Sequence, residues 1–121
     1  MPDFTSYLQT VENLVGNATK GFLAKLDHMT FKLTINGLKE TDYDAVAITI
    51  DQLVKERKPV SIPPLYVVAR AHPVPQVRAK AEAALLQLDS SGDIERFTAG
   101  KEMAEAVKAL VEHYGNFKAT L

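Results

Sequence analysis

Apolar residues recur at helical spacing along most of the chain, and short segments with Pro or Gly separate the periodic stretches. Residues 4–15 follow the i, i+3, i+4, i+7 pattern of one helix face. The residues on that face are Phe4, Tyr7, Leu8, Val11, Leu14 and Val15. Comparable stripes predict helices near 18–37, 42–58, 61–72, 75–88 and 98–114, and a short helix at 93–97. The pattern therefore predicts an all-α fold with six or seven helices.

Two stretches within the first forty residues are less regular. Gly16-Asn17 predicts a break between the first two helices. Residues 30–35 alternate between polar and apolar like a strand, and Asn36-Gly37 suits a hairpin turn. No partner strand follows, so we predict a helix that ends near Gly37. Its predicted buried face carries Phe22, Leu23, Leu26, Met29 and Leu33.

Residues 61–88 form the centre of the predicted fold. Ser61 is the predicted N-cap, and Pro63 and Pro64 suit a first helical turn, whose N–H groups have no intrahelical acceptor. His72-Pro73-Val74-Pro75 ends this helix, because a residue that precedes proline is driven out of the α region. The apolar face of the next helix carries Val77, Ala81, Ala84, Leu85 and Leu88.

This stretch resembles a HEAT-type helical repeat, including the variant found in phycobilin lyase subunits. The matching residues are Ile62, Pro63, Pro64, Leu65, Pro73, Pro75, Val77, Arg78, Ala81, Ala84, Leu85 and Leu88. His72 departs from the family, which usually has an acidic residue at that place. The resemblance implies that Arg78 orders contacts between neighbouring repeats. The residues it implies for packing within the repeat are Pro64, Leu65, Val77, Arg78, Ala81 and Leu85.

The same resemblance implies a short α-solenoid-like bundle of HEAT-type antiparallel helix pairs. Each pair alone exposes an apolar face, so neighbouring pairs must stack to cover it. We predict one domain over residues 1–121, with residues 61–88 as the central helix pair. Residues 1–40 and 93–121 are predicted to form flanking or capping helices.

Composition narrows the class of protein. Apolar residues make up 46% of the chain and charged residues 24%, which is ordinary for a globular domain. The chain has no cysteine, which excludes disulfides, thiolate nucleophiles and cysteine–zinc sites. No apolar run reaches the length of about 18 residues that predicts a membrane span, and the first residues do not resemble a secretory signal. The expected compartment is the cytoplasm.

No arrangement of residues predicts catalysis, a metal site or a cofactor site. His28, His72 and His113 lack a second histidine or a carboxylate pair at ligand spacing. Asp44 and Asp51 lie two helical turns apart, but the sequence indicates no cleft around them. No glycine-rich phosphate-binding motif occurs. We therefore expect no cofactor and a non-enzymatic role.

One segment is basic, with five cationic residues and no acidic residue between positions 57 and 81. The cationic residues are Arg57, Lys58, Arg70, Arg78 and Lys80. Such a segment is typical of a surface that binds phosphates or an acidic partner. The alternative is that these side chains lie on different faces and balance nearby acidic residues. The net charge of −1 favours this alternative.

Together these patterns predict a protein–protein interaction module, an adaptor or scaffold that uses a HEAT-like helical surface. The predicted partner-binding residues are Tyr66, Arg70, His72 and Lys80. The predicted partner is another protein or a second copy of this chain. One alternative, implied by the resemblance, is an accessory or chaperone-like subunit related to phycobilin lyases that acts on an antenna protein. The other is a weak nucleic-acid binder that uses the basic 57–80 segment.

Overall fold

The computed structural model describes residues 4–18, 22–89 and 91–115, except for the side chains of residues 17, 18 and 22–28. These residues form seven α-helices and one 3₁₀ segment, and they contain no β-strand, so the all-α prediction is confirmed. None of the described helices has both the length and the apolar character that a membrane crossing requires. The elements are α1 (Phe4–Ala18), α2 (Phe22–Leu38), α3 (Tyr43–Glu56), the 3₁₀ segment (Pro59–Ser61), α4 (Ile62–Ala71), α5 (Pro75–Leu88), α6 (Asp93–Thr98) and α7 (Met103–Tyr114).

Helix α4 lies at the centre of the bundle. Every residue from Ile62 to Ala69 is buried, as expected for a helix with apolar side chains on all sides. The helix packs against α1, α5 and α7, and it also contacts α2. Its contact with α5 is the most extensive one between helices in the described part of the chain. α1, α5 and α7 are therefore arranged around α4.

Helices from the two ends of the chain close the bundle. α1 packs against both α4 and α7, and α6 packs against α7. α3 packs on α5, while α2 lies against α1 and α3. In a solenoid each repeat contacts only its neighbours. The contact between α1 and α7 therefore differs from the predicted solenoid-like stack.

Helix α2 presents a different face to the core from the one predicted. Phe31, Ile35 and Leu38 are buried, whereas Met29 is 65% and Leu33 is 72% exposed. The prediction that Met29 and Leu33 are buried is therefore wrong. α2 carries apolar residues on two faces, and its contacts with α1 and α3 select one of them. The predicted partners of Met29 on that face, Phe22, Leu23 and Leu26, lie outside the described side chains.

Some of the observed helix boundaries agree with the predicted ones and others differ. Residues 30–37 are helical, as predicted, but α1 continues through Gly16-Asn17 without the predicted break. Ser61 forms no side-chain cap, because it lies inside the 3₁₀ segment with φ −74° and ψ −20° rather than in the extended conformation of an N-cap. α7 begins at Met103 and not near Thr98, because Gly100, at φ 72°, turns the chain after α6.

The close approach of α2 and α3 at Gly37 provides a test of this packing. A methyl group at position 37 would lie 2.6 Å from the Thr49 hydroxyl oxygen, which is too close for two unbonded atoms. The Thr49 hydroxyl also donates to the Ala45 carbonyl oxygen at 3.4 Å.

We expect Gly37→Ala to be more favourable in a Thr49→Ala background than in the wild-type protein by about 0.5–3 kcal/mol, because the clash is then absent. Urea unfolding followed by circular dichroism measures the four free energies of unfolding. Equal effects of Gly37→Ala in the two backgrounds would contradict the close contact between α2 and α3.

Candidate functional site

The turn between α4 and α5 is built around a fully buried histidine, His72. The Val74 backbone N–H donates to His72 Nδ1 at 3.0 Å. Because Nδ1 accepts this bond, the hydrogen bonds assign the ring proton to Nε2, which donates to the Glu40 carbonyl oxygen at 2.8 Å. The Phe4 ring packs against the imidazole at a centroid distance of 4.7 Å. His72 therefore joins α1, the α2–α3 loop and the α4–α5 turn.

Arg78 stabilises the same turn from α5. Its Nη1 donates to the His72 carbonyl oxygen at 2.7 Å. This contact lies within one helix pair, whereas the HEAT resemblance implies a contact between neighbouring repeats. The other residues predicted to pack the repeat are all buried, namely Pro64, Leu65, Val77, Ala81 and Leu85.

The four predicted partner-binding residues do not form one exposed surface. Tyr66 and His72 are buried, which corrects their assignment to a partner-facing surface. The Arg70 guanidinium lies 5.2 Å from the centroid of the Tyr66 ring, and its Nη1 pairs with Glu82 at 3.4 Å. Tyr66 therefore faces the core, whereas Arg70 remains exposed and pairs with α5 at the surface.

Most cationic side chains of the basic segment also form contacts within the chain. Lys80 Nζ lies 2.8 Å from an Asp51 oxygen, and this hydrogen bond raises the pKa of Lys80. Arg70 and Arg78 make the contacts described above. Such exposed ion pairs contribute only about 0–1 kcal/mol each, but they pair the charges of Arg70 and Lys80 with carboxylates of the same chain. Lys58 differs from these residues, because it lines a cleft.

This half-open cleft lies between α2, α3 and the 3₁₀ segment, and its volume is about 200 Å³. Phe31, Leu53 and Val60 provide its buried apolar walls. The polar residues that line it are Thr30, Thr34, Glu56, Lys58 and Ser61.

Two charged residues reach the cleft from the two sides of a strained turn. Arg57 adopts the left-handed conformation at φ 52°, and its N–H donates to the Leu53 carbonyl oxygen at the end of α3. Glu56 is the last residue of α3, and Lys58 directly precedes the 3₁₀ segment. The ion pairs between described residues involve neither Glu56 nor Lys58. The cleft thus carries two opposite charges without a partner in the described structure.

Ser61 adds a buried hydroxyl to the same cleft. The residue is 2% exposed, and its hydroxyl forms no hydrogen bond with the part of the chain that the structure describes. Buried hydroxyls are usually paired, because an unpaired one costs about 1–3 kcal/mol. The hydroxyl is therefore free to bond a molecule in the cleft.

A second surface feature lies on the outer face of α2. Met29 and Leu33 are four residues apart, so they are neighbours on the helix surface. We call these two residues the α2 patch. The other large exposed apolar side chains among the described residues are Tyr43, Ile48 and Leu86, which lie on α3 and α5.

Sequence reasoning missed both features. It placed the α2 patch in the core, and it considered Lys58 only as part of a basic segment. The alternation of residues 30–35 was the available signal for the patch, because it places apolar side chains on more than one face of a helix. No sequence signal indicates that Thr30 meets Glu56 and Ser61, since Thr30 lies on a different helix and is distant from both in the chain.

No metal site is evident, because the described residues contain no group of three His, Asp or Glu side chains that could hold a metal ion. Burial raises the pKa of the Tyr114 phenol, which belongs to the core contacts of α7. The chain matches no protein-family model, no curated protein and no solved structure. Its function is therefore inferred from the α2 patch and the cleft.

The structural role of Arg78 predicts a specific loss of stability. We expect Arg78→Ala to lower the free energy of unfolding by about 1.5–3 kcal/mol, because the carbonyl of the buried His72 loses a charged donor. Lys80→Ala is the matched control, and it should cost at most about 1 kcal/mol because an exposed pair is lost. Urea unfolding measures both values. Equal, negligible losses would show that Arg78 does not order the turn.

Proposed function

We propose that the protein is a non-enzymatic interaction module that binds another protein through the α2 patch. The observation that carries this proposal is the exposure of two large apolar side chains one helical turn apart, Met29 at 65% and Leu33 at 72%. The free energy falls when a partner removes apolar surface of this kind from water, so such surface favours binding. Neighbouring exposed apolar residues are also more informative than single ones, which are common on protein surfaces.

The patch is not the outer edge of the core. Phe31 is buried, and Met29 lies about 200° away from it around the helix, because each residue advances by about 100°. A surface helix normally carries polar residues on the side opposite its buried face. α2 instead has a second apolar face, which supports a contact with something outside the described fold.

Polar residues border the patch on both sides. Thr30 lies toward the cleft, and Lys32 and Asn36 lie on the other side; all three are exposed. An apolar centre with a polar rim is the usual composition of a protein–protein interface. The expected partner surface therefore has apolar side chains at its centre that contact Met29 and Leu33.

The nucleic-acid alternative has less support. Arg70 and Lys80 form ion pairs within the chain, and Arg78 bonds a backbone carbonyl. A phosphate-binding surface would need several of these charges to be free on one face. An accessory role on an antenna protein remains one form of the proposed function, and a captured partner with visible absorbance would identify it.

The test compares Met29→Ser/Leu33→Ser in the full chain with Ile48→Ser, which alters an equally exposed but separate apolar residue. The immobilised wild-type protein first captures a stoichiometric partner from its native lysate, which is then purified. We expect the double variant to bind that partner at least about thirtyfold more weakly, because loss of central anchor residues costs about 2 kcal/mol or more. The Ile48 variant should bind like the wild type.

Circular dichroism should show unchanged folds, because exposed substitutions typically change stability by only about 0.5 kcal/mol. Light scattering identifies a second copy of the chain as the partner if the wild-type protein is a dimer and the double variant a monomer. The proposal fails if the double variant binds the purified partner as tightly as the wild type. It also fails if the wild-type protein is a monomer that captures no protein.

A further inference from the structure

We propose that the cleft between α2, α3 and the 3₁₀ segment binds a small zwitterion of the amino-acid class with an apolar side chain. The cleft is lined by residues other than those of the α2 patch. This proposal therefore does not depend on the proposed interaction function, and a different set of variants tests it.

The charges at the cleft correspond to the two charged groups of an amino acid. Glu56 and Lys58 both line it, yet they form no ion pair with each other or with another described residue. The left-handed turn at Arg57 separates them along the chain. A ligand ammonium can pair with Glu56 while its carboxylate pairs with Lys58, and charge-assisted hydrogen bonds of this kind are stronger than neutral ones.

The buried hydroxyl of Ser61 provides a third polar group. It lines the cleft, is 2% exposed and lacks a hydrogen-bond partner among the described residues. A hydroxyl that forms no hydrogen bond within the fold can bond a ligand without breaking a contact of the chain. A ligand carboxylate is a suitable acceptor, because the hydroxyl carries one donor hydrogen.

The apolar walls and the volume define the rest of the ligand. Phe31, Leu53 and Val60 line the cleft and are each 5% exposed, so an apolar ligand side chain has a buried surface to contact. The volume of about 200 Å³ lies below the range of about 300–1,000 Å³ that is typical of sites for larger ligands. A single branched amino acid agrees with both properties, so L-leucine is a suitable probe.

The experiment is a titration of the full ¹⁵N-labelled chain with L-leucine, followed by NMR, which detects binding even at millimolar affinity. We expect saturable shifts at the backbone amides of Thr30, Thr34 and Ser61. L-Leucinamide lacks the carboxylate and N-acetyl-L-leucine lacks the ammonium, so both should bind at least about tenfold more weakly. Absence of saturable shifts with L-leucine would overturn the proposal. Equal binding of N-acetyl-L-leucine would also overturn it, because the site would then recognise only a carboxylate, such as a peptide C-terminus.

Charge variants assign the two ends of the ligand. Glu56→Gln and Lys58→Gln should each weaken L-leucine binding by about tenfold, and Glu56→Gln should leave the affinity for N-acetyl-L-leucine unchanged. Lys55→Gln is the matched control, because Lys55 is an exposed cation at the end of α3 that does not line the cleft. A loss of binding in Lys55→Gln equal to that in Lys58→Gln would show a general charge effect and would contradict the site.

The Ser61→Ala variant distinguishes a role of the hydroxyl in ligand binding from a role in folding. Removing an unpaired buried hydroxyl should leave the midpoint of urea unfolding unchanged or raise it, while L-leucine binding weakens severalfold. A residue with a purely structural role would instead lower the unfolding midpoint. An unchanged affinity of Ser61→Ala for L-leucine would show that the hydroxyl does not contact the ligand.

Discussion

The arrangement of the helices depends on the hydrogen bonds of the buried His72 imidazole. Its two ring nitrogens bond the Val74 N–H and the Glu40 carbonyl, so one side chain connects two loops that are more than thirty residues apart in the sequence. Phe4 covers the ring, and Arg78 bonds the carbonyl of the same residue. A polar ring is stable in a core only when its polar atoms are paired. These partners therefore hold α1, α4 and α5 in a defined relative position.

Helix α4 is enclosed on most sides. Its packing therefore constrains the segment that leads into it. Only Arg57 and Lys58 lie between the end of α3 and the 3₁₀ segment that precedes α4. This short connection uses a non-glycine residue in the left-handed conformation, which is unfavourable for an L-amino acid. The same connection brings Glu56, Lys58 and Ser61 around one cleft. The features proposed to bind a ligand are thus a consequence of how the chain enters its central helix.

The charges of the molecule divide into those used by the fold and those left unpaired. Arg70 and Lys80 form exposed ion pairs within the chain and Arg78 bonds the carbonyl of the buried His72, although the sequence makes all three conspicuous as a basic segment. Glu56 and Lys58, which form no ion pair with a described residue, instead lie at the end of α3 and just after it, and the α2 patch lies on the neighbouring helix. Both proposals therefore concern α2 and the segment that runs from the end of α3 to Ser61, the first residue of the stretch that resembles a HEAT repeat.

The sequence alone determined the helical class, the approximate extents of α3, α4 and α5, and the buried face of α5. These properties are local, because periodicity of apolar residues and the position of proline act within a few residues of the chain. Only the tertiary structure decided which apolar face of α2 is buried, that His72 is a core residue, and that Glu56, Lys58 and Ser61 share a cleft with Thr30. Each of these depends on contacts between distant segments, and a pattern within one helix does not contain the position of the helices beside it.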